Sequence, residues 1–263
     1  MPNLKIDQNH RLHYQLLPGN TALPYLVYLH EGLGCTDMWG DFPETLCAAT
    51  GCPGLVYDRL GYGKSSSLKN NKRTIHYLHE YALQELPKLL ASLIPQKPFI
   101  LIGHSDGGSI SLIFGAEQSS LLKGIITEAA HVYVDHETIA GIEIAKKAWD
   151  KGKLRGLVKY HGDKTETLFR AWSETWLSKW FKHWNIEYLL PSIDVPLLII
   201  QGGNDQYGSS EQVTAIISKT SGHAHGEILE KCSHIPHSEV QAVVVALMSD
   251  FIAQINTDFG LTS

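Results

Sequence analysis

Ser105 lies in the run Ile100-Leu101-Ile102-Gly103-His104-Ser105-Asp106-Gly107-Gly108, with a glycine two residues to either side. An apolar stretch ends at Gly103 and a helix-like stretch begins near Gly107. The G-x-S-x-G spacing predicts a nucleophile elbow, a sharp strand-to-helix turn that lifts a serine hydroxyl above a sheet. Such a turn strains the backbone at the serine and needs neighbours almost free of side chain. Gly103 and Gly107 meet that need.

A serine hydroxyl is a poor nucleophile at neutral pH. It needs a histidine to take its proton and an acid to orient that histidine. For an elbow of this type the chain order is serine, acid, histidine. Asp205 is the acid candidate, because Leu197-Leu198-Ile199-Ile200-Gln201 reads as a strand running into the glycine-rich turn Gly202-Gly203-Asn204. Glu211 is a poorer alternative, since it falls in the next helix. His234 is the base candidate, directly after a strand at 227–229. His237 competes with it but reads as a pocket-edge or structural residue at the start of the last helix. His104 and His131 fall at the wrong place in the order to be the base. Acyl transfer also needs donors aimed at the developing oxyanion. The backbone N–H of Asp106 is one. The other comes from the loop His30-Glu31-Gly32-Leu33-Gly34, with Gly32 preferred and Leu33 second. His30 is expected to organise that loop by hydrogen bonding.

Apolar strand-like runs alternate with helical ones, which predicts a mostly parallel, doubly wound α/β sheet with helices on both faces. Residues 4–7 and 11–17 read as a hairpin. Strands follow at 25–29, 55–57, 99–102, 122–128, 196–200 and 227–229, and helices at 41–50, 75–93, 107–117 and 238–255. Pro87 is expected to kink the second of these helices. Residues 65–73 read as a surface loop without the glycine spacing of a phosphate cradle. From Ala130 to about Pro191 the strand rhythm stops, and helices are predicted at 137–151, 153–160 and 165–181. This stretch carries Trp149, Trp172, Trp176, Trp180 and Trp184, five of the six tryptophans. The last four recur every fourth residue and so drift around one helix face. They can glue the segment to the sheet or wall a cavity beneath it. Glu31, Leu33, His131, Trp172 and Trp176 are the candidate substrate contacts.

The net charge of −5, with no basic block, argues against a nucleic-acid partner. No apolar run reaches membrane-spanning length and the N-terminus has no apolar signal-like core, so a cytoplasmic protein is expected. Cys35, Cys47, Cys52 and Cys232 show no zinc-like spacing and read as free thiols. His223 and His225 are the nearest approach to a metal pair but read as solvated residues before a strand. No metal or organic cofactor is called for. The expected partner is a small molecule, and the oligomeric state stays open, a homodimer included.

The chain resembles the α/β-hydrolase superfamily. The resemblance rests on His30-Glu31-Gly32-Leu33-Gly34, on Asp58-Arg59-Leu60-Gly61-Tyr62-Gly63-Lys64-Ser65-Ser66, on the elbow, and on the Asp205 turn and the His234 loop. It implies a hydrolase core at 1–130 and 191–263, with a helical cap at 131–190 inserted before the seventh strand. Two departures matter. Glu31 stands where relatives usually carry glycine, and Asp106 where many carry Met or Gln. With Glu128 these acids can make the pocket rim acidic and select a cationic substrate, or they can bond to nearby backbone and Arg59. The reading is a serine hydrolase for a small to medium carboxylic ester or lactone. Its rivals are an aminopeptidase similar to proline iminopeptidases, a C–C bond hydrolase, and a slow-turnover ligand receptor on the same fold.

Overall fold

The computed structural model describes residues 2–68, 72–258 and 260. Eight strands form one sheet: β1 (Asn3–Lys5), β2 (Arg11–Leu17), β3 (Tyr25–Leu29), β4 (Gly54–Tyr57), β5 (Phe99–His104), β6 (Leu122–Glu128), β7 (Leu197–Gly202) and β8 (Ala224–Leu229). Their order across the sheet is β1-β2-β4-β3-β5-β6-β7-β8. β1–β2 and β2–β4 are antiparallel, and every pair from β4–β3 onward is parallel.

The central strands β3, β4, β5 and β7 are buried almost throughout, as parallel strands covered on both faces must be. Side chains alternate between the two faces. Val27, Leu29, Leu101, Leu197 and Ile199 enter one core. Leu26, Tyr28, Ile100, Ile102, Leu198 and Ile200 enter the other. The second core is closed by α1 (Phe42–Thr50) and by the last helices, α9 (Pro236–Glu239) and α10 (Gln241–Asp258), through Leu46, Val244, Met248 and Ile252. The first is closed by α2 (Tyr77–Glu80), α3 (Leu86–Leu93), α4 (Asp106–Gly115) and α8 (Ser210–Lys219). Between β6 and β7 lie α5 (His136–Asp150), α6 (Val158–His161) and α7 (Thr165–Trp176) with short 3₁₀ turns.

Several boundaries differ from the sequence expectation. The helix expected at 75–93 is interrupted by a π-helical stretch at Tyr81–Glu85, after which Pro87 sits in the first turn of α3, where its missing N–H costs no bond. The helix expected at 165–181 stops at Trp176, so Trp180 and Trp184 share no face with Trp172. The predicted closing helix at 238–255 is instead α9 and α10, broken at Val240. β8 begins at Ala224, which places His225 inside the strand, bonded to Glu227 at 2.7 Å. Part of the 65–73 loop lies outside the described residues.

Candidate active site

The elbow is built where β5 runs into α4. Ser105 has φ 52° and ψ −114°, a left-handed conformation that a residue with a side chain rarely adopts. Its N–H donates to Glu128 O at 2.8 Å, and its C=O accepts from Ser109 N–H at 3.1 Å, so the strained residue is tied to β6 and to α4. A Cβ on Gly103 would collide with the Gly107 carbonyl, and one on Gly107 with the Leu29 carbonyl. Strand, turn and helix approach so closely there that only glycine fits.

Asp205 stands in the turn after β7. His234 Nδ1 lies 2.9 and 2.8 Å from its two carboxylate oxygens. Gln201 Nε2 and the Tyr207 N–H also donate to that carboxylate, each at 2.7 Å. Burial alone would raise the Asp205 carboxyl, but the hydrogen bond from His234 and its charge outweigh it and hold the group below its ordinary value. With Nδ1 committed, Nε2 is the nitrogen of His234 left for the cavity. His104 Nε2 donates to the His234 carbonyl at 2.7 Å and fixes the loop from below. Burial keeps His104 neutral. Glu211 is exposed in the first turn of α8, far from this role.

Asp106 opens α4, so its N–H is one of the helix's free terminal donors. A Cβ on Gly32 would lie 3.3 Å from Asp106 Cγ and 2.6 Å from the Trp172 ring, so the two expected oxyanion donors are neighbours under that indole. The Gly32 loop is braced by Arg59, whose guanidinium donates to the carbonyls of His30 at 3.0 Å and Glu31 at 2.7 Å. His30 Nε2 accepts from the Arg59 N–H at 3.1 Å, which gives His30 the organising place expected of it. Burial and the Arg59 charge hold its imidazole neutral. Asp58 secures the turn that carries Arg59 by accepting from Thr36 N–H, Thr36 Oγ and Lys64 N–H, all at 2.6 Å.

A cavity of about 360 Å³ joins these parts. Glu31, Ser105, Asp106, His131 and His234 form polar wall, and Ile142, Ala145, Leu154, Leu157 and Trp172 apolar wall. The apolar side comes from the helices between β6 and β7. Trp176 also lines it, and its indole N–H donates to Tyr77 Oη at 2.8 Å.

A family model described as the alpha/beta hydrolase family matches residues 26–247. The chain belongs to the alpha/beta hydrolase family. As a member it is a hydrolase. Over 93% of its length it is 22% identical to the proline iminopeptidase of Saccharolobus solfataricus, covering 89% of that protein. The fold is similar to that of the enol-lactonase from Burkholderia xenovorans, with a TM-score of 0.72, 16% identity, and 96% and 100% of the two chains covered. It is equally similar to the esterase RhEst1 from Rhodococcus sp., with a TM-score of 0.73, 17% identity, and 94% and 96% covered. At such identities the likeness to solved structures shows the fold alone.

In this alpha/beta hydrolase the expected residues gather around one cavity: Ser105, His234, Gly32, Asp106, Glu31, Leu33, His131, Trp172 and Trp176 all line it, with Asp205 behind His234. The tryptophans divide. Trp172 and Trp176 wall the cavity, Trp149 stacks on Phe169 at 4.2 Å, Trp184 is buried against Phe181, and Trp180 is exposed. The acidic rim shrinks to Glu31. Glu128 does not reach the cavity, because it is fully buried and bonded to His237 Nδ1 at 2.6 Å. His237 thus has the structural place expected of it, its ring bonded to a buried carboxylate. Asp106 is buried, accepts from Tyr77 Oη at 3.0 Å and has Arg59 at 3.8 Å. Burial pushes the Glu31 carboxyl upward, although nearby His237, Arg59 and His234 oppose this. Sequence reasoning missed Tyr77, Gln201 and Tyr207. Only Gln201 left a local signal, as a polar residue ending an otherwise apolar strand four positions before Asp205. Among the described residues no helix is long and apolar enough to cross a membrane.

Proposed function

We propose that this hydrolase cleaves small to medium carboxylic esters or lactones through an acyl-enzyme on Ser105. The observation that carries the reading is His234 held by Asp205 on the wall of the same cavity as the strained Ser105. Ser105 Oγ attacks the carbonyl carbon while His234 Nε2 takes its proton. The N–H groups of Asp106 and Gly32 stabilise the oxyanion. The proton then passes to the departing alkoxide, and water, deprotonated by His234, releases the acid and restores Ser105. No step calls for a metal or an organic cofactor. Residues 131–190 act as the lid over a core of residues 1–130 and 191–263, and their apolar wall suits a partly apolar acyl or alkyl group.

Two measurements test this. A fluorophosphonate probe labels the native protein and fails to label Ser105→Ala. A panel of p-nitrophenyl esters, lactones, prolyl amides and vinylogous diketones of similar size shows fastest turnover on the esters or lactones. Faster cleavage of prolyl amides or diketones sinks the ester assignment, and absence of labelling sinks the nucleophile.

A further inference from the structure

β8 ends the sheet with an open edge. The N–H groups of Leu197 and Gly203 donate to the carbonyls of His223 and Leu229, each at 2.9 Å, and the β7–β8 register runs unbroken between them. Backbone groups of successive strand residues point to alternate edges, so His225 and Glu227 also turn theirs to β7. Ala224, Gly226 and Ile228 turn their N–H and C=O outward, and no hydrogen bond from another described residue reaches them there.

Proteins blunt such edges with short strands, lysine or proline. The opposite edge, β1, has only three residues and ends in Lys5. β8 has six residues and neither lysine nor proline. It is also self-complementary. Laid antiparallel on a second copy about a two-fold axis at Gly226, it sets outward residues against one another, Gly226 on Gly226 and Ala224 on Ile228, as hydrogen-bonded pairs. His225 then falls opposite the second copy's Glu227 on both sides of the axis, at the positions where side chains approach most closely. Within one chain these two residues share a face and a bond of 2.7 Å through His225 Nε2. An axis at His225 sets two imidazoles against each other, and one at Glu227 two carboxylates. Apolar surface flanks the edge on both faces. Ile217 and Ile228 are exposed on the α8 side, and Leu247 and Phe251 line a groove of about 580 Å³ with His225 on the α10 side.

We propose that β8 is the interface of a homodimer, in which two copies of this chain join their sheets edge to edge about Gly226. The pairing gives partners to the outward N–H and C=O groups of Ala224, Gly226 and Ile228. The two His225–Glu227 contacts across the axis fix the register, because the neighbouring registers oppose like groups. The inference does not depend on the chemistry at Ser105.

Sedimentation equilibrium of the full chain, from about 1 to about 100 μM, is expected to show twice the 29.2 kDa chain mass at the upper end. His225→Glu opposes two carboxylates across the axis, and Glu227→Lys opposes lysine to histidine. Each variant is expected to keep the native circular dichroism melt and to associate about tenfold more weakly. Mixed, the two oppose the introduced glutamate to the introduced lysine, and a heterodimer of native strength is expected. Hydrogen exchange of the native protein supplies a readout that needs no variant. The Gly226 and Ile228 amides are expected to exchange about tenfold more slowly at the upper concentration than at the lower. A native monomer throughout, or equal exchange of those amides at both concentrations, overturns the proposal even if neither variant folds. So do single variants that dimerise as the native protein does, and a mixture that associates no better than its components.

Discussion

Tyr77 donates its hydroxyl proton to Asp106 Oδ2 at 3.0 Å while accepting the Trp176 indole proton at 2.8 Å. One phenol thus links α7, between β6 and β7, to the residue that follows Ser105. The Asp106 carboxylate is 2% exposed, and Arg59 and Tyr77 are the groups facing it. The carboxylate is therefore engaged inside the protein, which leaves the backbone N–H for the oxyanion role proposed above.

Tyr77→Phe follows from that link. It strands the Trp176 N–H and one Asp106 oxygen in a buried site, which costs about 1–3 kcal/mol of stability. The helix between β6 and β7 then no longer holds Asp106. We expect kcat to fall about tenfold with KM changed far less, since an oxyanion donor acts in the transition state. Steady-state kinetics and urea unfolding check this. A rise in KM alone assigns Tyr77 to substrate binding instead.

Asp205→Asn keeps the shape of its turn and removes the carboxylate that accepts from His234 Nδ1, Gln201 and Tyr207. An amide there lets His234 adopt the other tautomer, with the proton on the nitrogen that must accept one from Ser105. By analogy with other serine hydrolases, kcat is expected to drop about 10⁴-fold. Single-turnover acylation on a p-nitrophenyl ester reads it. A loss below about tenfold means another acid orients the base, and Glu128, bonded to His237, is the carboxylate to examine.

That Ser105, Asp205 and His234 come together was legible because each follows a strand end in a fixed chain order, and strand ends are marked by local signals. The sheet was legible for the same reason: Phe99–Ile102 and Leu197–Ile200 are apolar runs bounded by turn residues. What stayed hidden depends on contacts between distant segments. Nothing near Tyr77 announces that its hydroxyl meets Trp176, 99 residues on, or Asp106. The four-residue tryptophan spacing suggested one long helix, yet α7 ends at Trp176. Packing then decided each ring separately, with Trp184 buried at 2% and Trp180 exposed at 45%. The acids divide in the same way: Asp106 faces Arg59, the second of the two expectations. Glu128 looked like rim, but its side of β6 faces His237.

Gly32→Ala tests the closeness of the Gly32 loop, the proposed source of the second oxyanion donor, to the helices above it. The new methyl would sit 2.6 Å from the Trp172 ring and 3.3 Å from Asp106 Cγ, so the ring or the loop must move. We expect a fall in kcat of about 10²-fold, the size of a 1 Å misplacement of a reacting group. Gly32→Ala combined with Trp172→Leu, which frees the space, is expected to recover part of it. No recovery places the damage in the loop backbone rather than in the contact with Trp172.

Glu85→Gln separates pH-dependent stability from chemistry. Glu85 lies in the π-helical turn before α3, 7% exposed, with Oε2 accepting from the Leu60 N–H at 3.0 Å and Oε1 unpartnered. Burial pushes its carboxyl up from 4.5 to about 8, against the smaller pull of that N–H, Arg59 and Lys88. An acid whose folded pKa exceeds its unfolded one binds more protons in the folded state between the two values. Stability is therefore full below the unfolded value and is lost as pH rises toward the folded one, by up to about 1.4 kcal/mol per pH unit. Gln carries no charge to desolvate and can still accept from Leu60. We expect the variant to match the parent in melting temperature near about pH 4.5 and to exceed it at about pH 8.5, with a flatter profile between. Calorimetry across that range decides. Parallel profiles in the two proteins mean that Glu85 does not titrate there, and that Arg59 holds it ionised in the fold.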